Sequence, residues 1–463
     1  MGRPTIYPTG ATLYDPERAW NGYTLYQAAD LGALLIDMNG REVRLWSGLR
    51  GSPNKIRPGG RVMGSTALRD PRYGMQDQVD VVEADWNGRI VWCFDRHEYV
   101  EDPGLPSRWM ARAHHDYQHS GDPVYYTPES DGEAGPASGP TLILAHRNVT
   151  VPAISDQRLT DDVLLETDEG GRIVWEWLAS DHVDELGLGD DARRAMRRNP
   201  NVRRRGVDPG MWLHMNAASR IGPNRHYDQG DGRFHPDNIL WSAREANVIA
   251  ITDRASGSVV WKLGPDYSSS RWHELGWIIG PHHPHIIPRG LPGAGNLLLF
   301  DNGGWAGYGL AHVSSPDGLK TALRDYSRVL ELDPTTFRVV WQYTPYEAGL
   351  AMPQDASLFY SPYLGSAQRL PNGNTLIAEG GSGRLFEVTR EHEIVWEYVS
   401  PYRNKRGSNP VDRAYRIPYG WVPLPPPREQ TAIVPPDIAD WRLPGAAERG
   451  AEKIIRLNPA ARP

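Results

Sequence analysis

One short phrase recurs six times along the chain and restricts the folds open to it. An apolar run, a turn and a second run closing in Val-Trp or Leu-Trp end at Trp46, Trp92, Trp175, Trp261, Trp341 and Trp396. Each copy reads as strand, tight turn, strand, with β-branched residues in the runs and turn formers between them. A lone hairpin cannot bury its own faces, but several stacked about an axis can. Another strand pair accompanies most copies. The second member of that pair is visible as RVMGST (61–66), TLILAHR (141–147), NILWSAR (238–244), NLLLFDNG (296–303) and NTLIAEGG (374–381). Four strands per unit make a propeller blade.

The expected fold is all-β: a six-bladed β-propeller with four-stranded blades. The first Trp hairpin has only GYTLYQ (22–27) before it, and RAYRIPYGWV (413–422) has no hairpin after it. One blade is therefore shared between the chain ends, which closes the ring and removes open sheet edges. The propeller is expected over 1–423, with insertions near 95–113, 119–140, 178–212, 265–281 and 304–325. The stretch DHVDELGLGDDARRAMRRN (181–199) is the one helical insertion, with Leu186, Leu188, Ala192, Ala195 and Met196 as its apolar stripe. GDPVYYTPESDGEAGPASGP (121–140) reads as a loop, NVRRRG (201–206) as a solvated basic face, and 424–463 as a tail wrapping the ring.

Composition narrows the partners. A net charge of -7 leaves no basic footprint for nucleic acid. No run of about 18 apolar residues predicts a membrane span. The first ten residues lack the apolar core of a signal peptide, so a cytoplasmic location is expected. The lone cysteine, Cys93, follows Trp92 in a strand and reads as a small buried hydrophobe.

In a propeller the innermost strands line a central channel. Three of them open on histidine at the same phase: His114-His115, His214 and His282-His283. Placement at one repeat position makes these side chains converge. Lys55 and Gln368 open two further inner strands. Arg147 shares the phase of Arg244 and is a second candidate anion contact. Glu379 stands where Arg244 does in its own unit. Trp212, Trp305 and Tyr308 are candidates for stacking on an aromatic substrate or for packing. Asp301-Asn302-Gly303 reads first as a turn.

The order His214-x-Asn216, then Ser242-Ala243-Arg244, then a histidine opening the next inner strand, then Phe300 to Gly303 and Tyr326 to Val329, resembles the bacterial aryl-sulfate sulfotransferases and their broader relatives. YPTGATLYDPERAWNGYTLY (7–26), LPNGNTLI (370–377) and IVWEY (394–398) fit the same superfamily. The resemblance implies a six-bladed propeller and a transferase that moves a sulfuryl group between phenols through a sulfo-histidine. Carried over by position, it implies His282 as nucleophile, His115 (or His114) and His214 as assisting histidines, and Asn216 and Arg244 as the grip on the sulfuryl oxygens. The implied partner is a small aromatic molecule, and no cofactor is needed.

The residues leave two other readings open. His282, His283 and His285 form a dense run. Strand alternation puts His283 and His285 on one face and His282 on the other. Facing the channel, His283 and His285, or His115, His214 and His282, would suit a transition metal, making the chain a metal-dependent lyase, hydrolase or oxygenase. A non-catalytic binding propeller is the third reading.

Overall fold

The computed structural model of the protein describes residues 8–119, 139–200, 210–427 and 430–435. Six four-stranded antiparallel blades stand in a ring. Blade 2 runs Gly51–Arg57, Arg61–Ser65, Val81–Ala84, Ile90–Phe94. Blade 3 is Ala113–His119, Thr141–Val149, Leu159–Thr167, Ile173–Leu178, and blade 4 is Met215–Arg220, Ile239–Ala243, Val248–Thr252, Val259–Leu263. Blade 5 is His282–Ile286, Leu297–Asp301, Arg328–Leu332, Val339–Tyr343, and blade 6 is Ser366–Arg369, Thr375–Glu379, Arg384–Val388, Ile394–Val399. Blade 1 closes the ring: Ala414–Ile417 from the end of the chain pairs with Tyr23–Ala28, followed by Gly32–Ile36 and Glu42–Ser47. The first strand of each blade lies innermost.

Closure is doubled by a feature outside the sequence expectation. Gly10–Tyr14 adds a fifth, outer strand to blade 6 by pairing with Ile394–Val399. Tyr14 in turn bridges to Ile433, so the described part of the tail lies on this outer edge. The basic cluster 201–206 and most of the loop 121–140 and of the tail lie outside the described residues.

The core is divided among the blade interfaces, each filled by its own apolar cluster. Leu25 and Leu35 of blade 1 meet Val62 and Val82 of blade 2. Leu240 and Ile249 of blade 4 meet Leu297 and Leu330 of blade 5. The recurring tryptophan explains itself here. It packs on the outermost strand, and its indole N–H reaches a carbonyl in the hairpin turn of the next blade. The bonds are Trp46 to Asp85 (3.1 Å), Trp261 to Pro334 (2.8 Å), Trp341 to Arg390 (3.0 Å) and Trp396 to Met38 (2.8 Å). In blade 3 the clasp is made by Trp177, to Gly257 (2.8 Å), two residues beyond the repeat position. Trp92 of blade 2 makes no such bond and packs edge-on against His119 instead.

The helical insertion forms as a 3₁₀ segment, Ala179–Leu186, and an α-helix, Asp190–Arg198. Its stripe Leu186, Leu188, Ala192, Ala195 and Met196 is buried between blades 3 and 4. One expectation is corrected: Cys93 is exposed. It sits on the outermost strand of its blade, where Trp92 and Phe94 are buried and the residue between them points to solvent.

Candidate active site

The inner strands of four consecutive blades begin with a bulge. In blade 3, Ala113 pairs with Ala145 and the next pair is Tyr117 with Ile143. In blade 4, Met215 and Ala217 pair with the adjacent residues Ala243 and Ser242. His282 and His285 of blade 5 pair with Phe300 and Leu298, and Gly51 and Lys55 of blade 2 with Ser65 and Met63. His115 (φ 54°), His214 (φ 55°) and His283 (φ 50°) take left-handed backbone at these places. That conformation costs a non-glycine residue on the order of 1 kcal/mol and concentrates at functional sites. The bulges bend the strand mouths and interrupt the strict two-residue alternation there, so side-chain direction no longer follows parity.

The ambiguity between His114 and His115 is resolved by direction. His114 turns back into its own blade, with its ring stacked on His146 at 3.6 Å. It reaches forward only through Nδ1, 2.8 Å from Nδ1 of His115. His115 is the histidine at the channel, its ring 4.9 Å from that of His214.

His282 is the most tightly specified of the set. Its Nδ1 lies 2.6 Å from Asn302 Oδ1 and 3.0 Å from the Gly280 carbonyl. Asn302 cannot present its amide nitrogen there, because Nδ2 donates to the carbonyls of Ser361 and Leu364, both at 2.7 Å. Two acceptors facing Nδ1 place the proton on that atom. The lone pair is therefore on Nε2, which makes no hydrogen bond among the described residues. Burial and the nearby Arg244 guanidinium push the pKa of this imidazole down to about 3, so it is neutral at pH 7.

Arg244 is held by Glu245 (2.6 Å) and the Pro362 carbonyl (3.3 Å), with its side chain 12% exposed. Asn216 Oδ1 accepts from Ser242 (2.6 Å), and Asn216 Nδ2 donates to the Pro281 carbonyl (2.8 Å). One of its amide hydrogens is thus committed to fixing the residue before His282. Asn216 and Ser242-Ala243-Arg244 come from the paired first two strands of blade 4, and they meet His282 because blades 4 and 5 are neighbours.

Beside these groups the inner strands are tied by a buried ion triad. Asp116 accepts from Lys55 Nζ (2.6 Å), Arg413 Nη1 (3.0 Å) and the Ala218 amide (3.0 Å), joining blades 1 to 4. Arg413 also donates to the Asn216 carbonyl at 2.7 Å. His283 and His285, with rings 4.7 Å apart, lie in the field of this triad. Burial first, then Arg413, holds His283 well below the usual imidazole range, and burial pushes His285 down to about 3. Asp116 and Arg413 escaped sequence reasoning as site components, and Asn302 reads first as a turn residue and only second as a ligand contact. Only the fold brings these three beside the histidines.

Other candidates go elsewhere. Arg147 pairs with Glu176 and Glu98 rather than entering the channel. Gln368 bonds the backbone of Arg416 in the next blade, and Glu379 pairs with Arg384 (3.3 Å). Trp212 is fully buried and bonds Asp161, and Tyr308 donates to the Trp212 carbonyl, so both are packing residues. Trp305 is 45% exposed on the hairpin Gly304–Tyr308/Leu319–Arg324. No helix among the described residues is long and apolar enough to cross a membrane.

The family model described as arylsulfotransferase (ASST) matches residues 136–405. No curated protein matches the chain. Among solved structures, a protein of unknown function from Bacteroides caccae is 10% identical, with a TM-score of 0.44, over 86% of this chain and 99% of that one. A virginiamycin B lyase from Staphylococcus aureus is 10% identical, with a TM-score of 0.35, over 87% of this chain and 89% of that one.

Proposed function

Because the chain belongs to the arylsulfotransferase family, we propose that it moves a sulfuryl group between phenolic compounds through a covalent adduct on His282. The observation that carries this reading is the fixed tautomer of His282, with Nδ1–H tied to Asn302 and Gly280 and the lone pair left on Nε2. In the first half-reaction that lone pair attacks the sulfur of an aryl sulfate. The sulfur–oxygen bond to the ring breaks, and its electrons leave on the phenolate, which takes a proton from His115 or His214. The imidazole becomes positively charged as the bond to sulfur forms, and the two acceptors on Nδ1 stabilise that charge. Arg244 stabilises the anionic sulfuryl oxygens, and the same charge keeps His282 unprotonated. In the second half-reaction an acceptor phenol gives its proton back to the histidine pair and takes the sulfuryl group from Nε2.

A metal held by the channel histidines is a poorer fit. Lys55 and Arg413 already place two cations beside His283 and His285, and Arg244 places one beside His282, so a further cation there is opposed electrostatically.

The test is to mix the protein with p-nitrophenyl sulfate in the absence of acceptor, quench it and map the peptide around residue 282 by mass. One added sulfuryl group on His282 is expected. His282→Ala should lose the adduct and lower transfer to phenol by about 10³-fold or more. Undiminished transfer by that variant would end the proposal.

A further inference from the structure

Two histidines, His115 and His214, stand where the phenolic proton has to pass, and the contact behind His115 separates them. Nδ1 of His115 lies 2.8 Å from Nδ1 of His114. Two ring nitrogens at that distance share one proton: one donates and the other accepts. We propose that His114 is a positioning residue that accepts a hydrogen bond from Nδ1 of His115. Nε2 of His115 is then the atom that gives a proton to the leaving phenolate and takes one from the acceptor phenol. The inference rests on the sulfuryl-transfer reading above.

The surroundings of His114 decide which ring donates. His114 is fully buried, and its ring lies flat on that of His146, 3.6 Å away and 16° from parallel. Stacked rings meet through their faces, so His146 steadies the ring without exchanging an in-plane proton with it. His146 is itself held by Asp77, 2.6 Å from its Nδ1. Nδ1 of His114 faces His115, and Nε2 lies 3.3 Å from Asp162 Oδ1. That separation is long for a hydrogen bond but well within reach of the carboxylate's charge. Asp162 is oriented by the Met215 amide, which donates to Oδ2 at 3.1 Å. The nearby Arg112 is paired with Asp77 (2.9 Å) and Glu98 (2.7 Å). Burial first, then His146 and His115, hold His114 well below the usual imidazole range, so its ring carries one proton. The Asp162 carboxylate favours that proton on Nε2. Nδ1 of His114 is then a lone pair, and Nδ1–H of His115 fills the contact.

A neutral ring with its proton on Nδ1 offers Nε2 as a base, and once charged it offers the same nitrogen as an acid. When the aryl sulfate is cleaved, the His115 imidazolium passes its Nε2 proton to the phenolate oxygen and returns to the neutral Nδ1–H form. When the acceptor phenol reacts, its O–H proton goes to Nε2 and restores the imidazolium. Nδ1–H stays on His114 throughout, so one proton moves in each half-reaction and the ring keeps its orientation. Asn302 holds Nδ1 of His282 in the same way. An imidazole precedes His115 in the chain, whereas Leu213 precedes His214, so the pairing singles out His115.

The experiment sorts donors by how much their leaving group needs a proton. p-Nitrophenolate is a weak base and leaves unaided, whereas phenolate depends on a general acid. Single-turnover formation of the sulfo-enzyme from p-nitrophenyl sulfate and from phenyl sulfate is compared in the full-length wild type, His114→Leu and His114→Asn. His114→Leu removes the acceptor. It should slow the phenyl sulfate reaction by about 30- to 100-fold and the p-nitrophenyl sulfate reaction by less than about threefold. His114→Asn puts a side-chain oxygen in the place of Nδ1 and should return the phenyl sulfate rate to within about threefold of the wild type. Equal losses with both donors, or no recovery in His114→Asn, would overturn the inference. Because His114→Leu could fail to fold, the tautomer is also read in the wild type by heteronuclear NMR of the histidine rings at alkaline pH, with His115→Gln as the assignment control. A proton on Nδ1 of His115 is expected, and a proton on Nε2 would overturn the inference. The NMR needs no turnover, so absence of the His282 adduct would end the sulfuryl-transfer reading while the His114–His115 pairing is judged separately.

Discussion

The two ends of the inner strands are built from the same repeat and do opposite things. At their starts stand histidines, three of them on left-handed backbone, and of this group His282, His283 and His285 are held below the usual imidazole range by burial. At or next to most of their ends stand basic residues paired with buried glutamates, within the blade for Arg57 and Glu83 of blade 2 (2.8 Å) and across to the neighbouring blade for the others. Arg220 of blade 4 pairs with Glu166 of blade 3 (2.5 Å), Arg369 of blade 6 with Glu331 of blade 5 (2.7 Å), and Arg416 of blade 1 with Glu387 of blade 6 (3.0 Å). His119 of blade 3 stands 3.7 Å from Glu83 of blade 2. Each of these glutamates pairs across its hairpin with the repeat tryptophan: Glu83 with Trp92, Glu166 with Trp175, Glu331 with Trp341 and Glu387 with Trp396. The exception supports the rule. Blade 5 ends in Ile286, the matching position in blade 4 is Ile251, and the two share one apolar cluster. Charges at that end are present or absent as pairs, as expected where an unpaired buried charge is costly. The other end leaves buried ring nitrogens such as those of His283 without a hydrogen-bond partner among the described residues, as expected if that end is the reacting one.

Acid should break the site end first, and this is the largest expected effect. His282 and His285 take up protons near pH 3 in the folded chain, His97 near 4, and His283 is held well below the usual range. In the unfolded chain all four protonate near pH 6.5. Between those limits the unfolded state binds more protons, so stability is present above about pH 6.5 and falls as the pH falls. Four buried carboxyls work the other way: burial raises Asp161 to about 6 and raises Glu379, Glu387 and Asp412 too, so the folded state takes up those protons first. The histidine shifts span the wider range, and His114 is held well below the usual range as well, so a net loss of stability is expected from pH 7 to pH 4.5. Thermal melting followed against pH reads this directly. A melting temperature that stays level to pH 4.5 would contradict the buried, neutral histidines.

The clamp end should respond to truncation instead. Arg416 is fully buried and bonds Thr24, Trp20 and Glu387 while lying over the Trp396 ring. Arg416→Met strands the Glu387 carboxylate and should cost about 3–5 kcal/mol in urea unfolding. Turnover of the protein that remains folded should change less than about twofold, since Arg416 belongs to the ion pairs and not to the reacting groups. A variant with normal stability and impaired turnover would erase the distinction between the two ends.

The contrast also shows what was legible in the sequence. The blade count, the shared closing blade and the phase of His115, His214 and His282 were readable because they repeat. The clamp was in principle readable too: a basic residue ends four of the six inner strands, as Arg57, His119, Arg220 and Arg369, and Arg416 stands one residue before the end of a fifth. What could not be read was direction. Alternation predicts which residues share a face only in a regular strand, and the bulges at the channel mouth break it. At the bulge His114 turns onto His146 of its own blade while His115 turns towards His214 of the next. Asn302 looked like part of an Asn-Gly turn, and its partners Ser361 and Leu364 lie about 60 residues away.

Asn302 gives the next prediction. In the proposed mechanism it acts as a positioning residue, through the proton on His282 Nδ1. Asn302→Ala should lower the rate of sulfo-enzyme formation and kcat by about 10- to 100-fold while leaving KM near its original value. A rise in KM with unchanged kcat would mean that it binds substrate rather than fixing the tautomer.

The smallest effect lies in the tryptophan clasp, where the ring supplies its own control. Trp46→Phe keeps an aromatic ring between blades 1 and 2 but removes the bond to the Asp85 carbonyl. Trp92→Phe makes the same chemical change at the same repeat position. There the indole N–H is buried with no hydrogen-bond partner among the described residues, so its removal relieves a desolvated donor. Both variants lose similar volume, and the packing cost should cancel in the comparison. Trp46→Phe should therefore be less stable than Trp92→Phe by about 1 kcal/mol, the net worth of one hydrogen bond. Paired urea titrations measure the difference. Equal stabilities would mean that the repeat tryptophan is kept for its bulk alone and that the clasp to the next blade adds nothing.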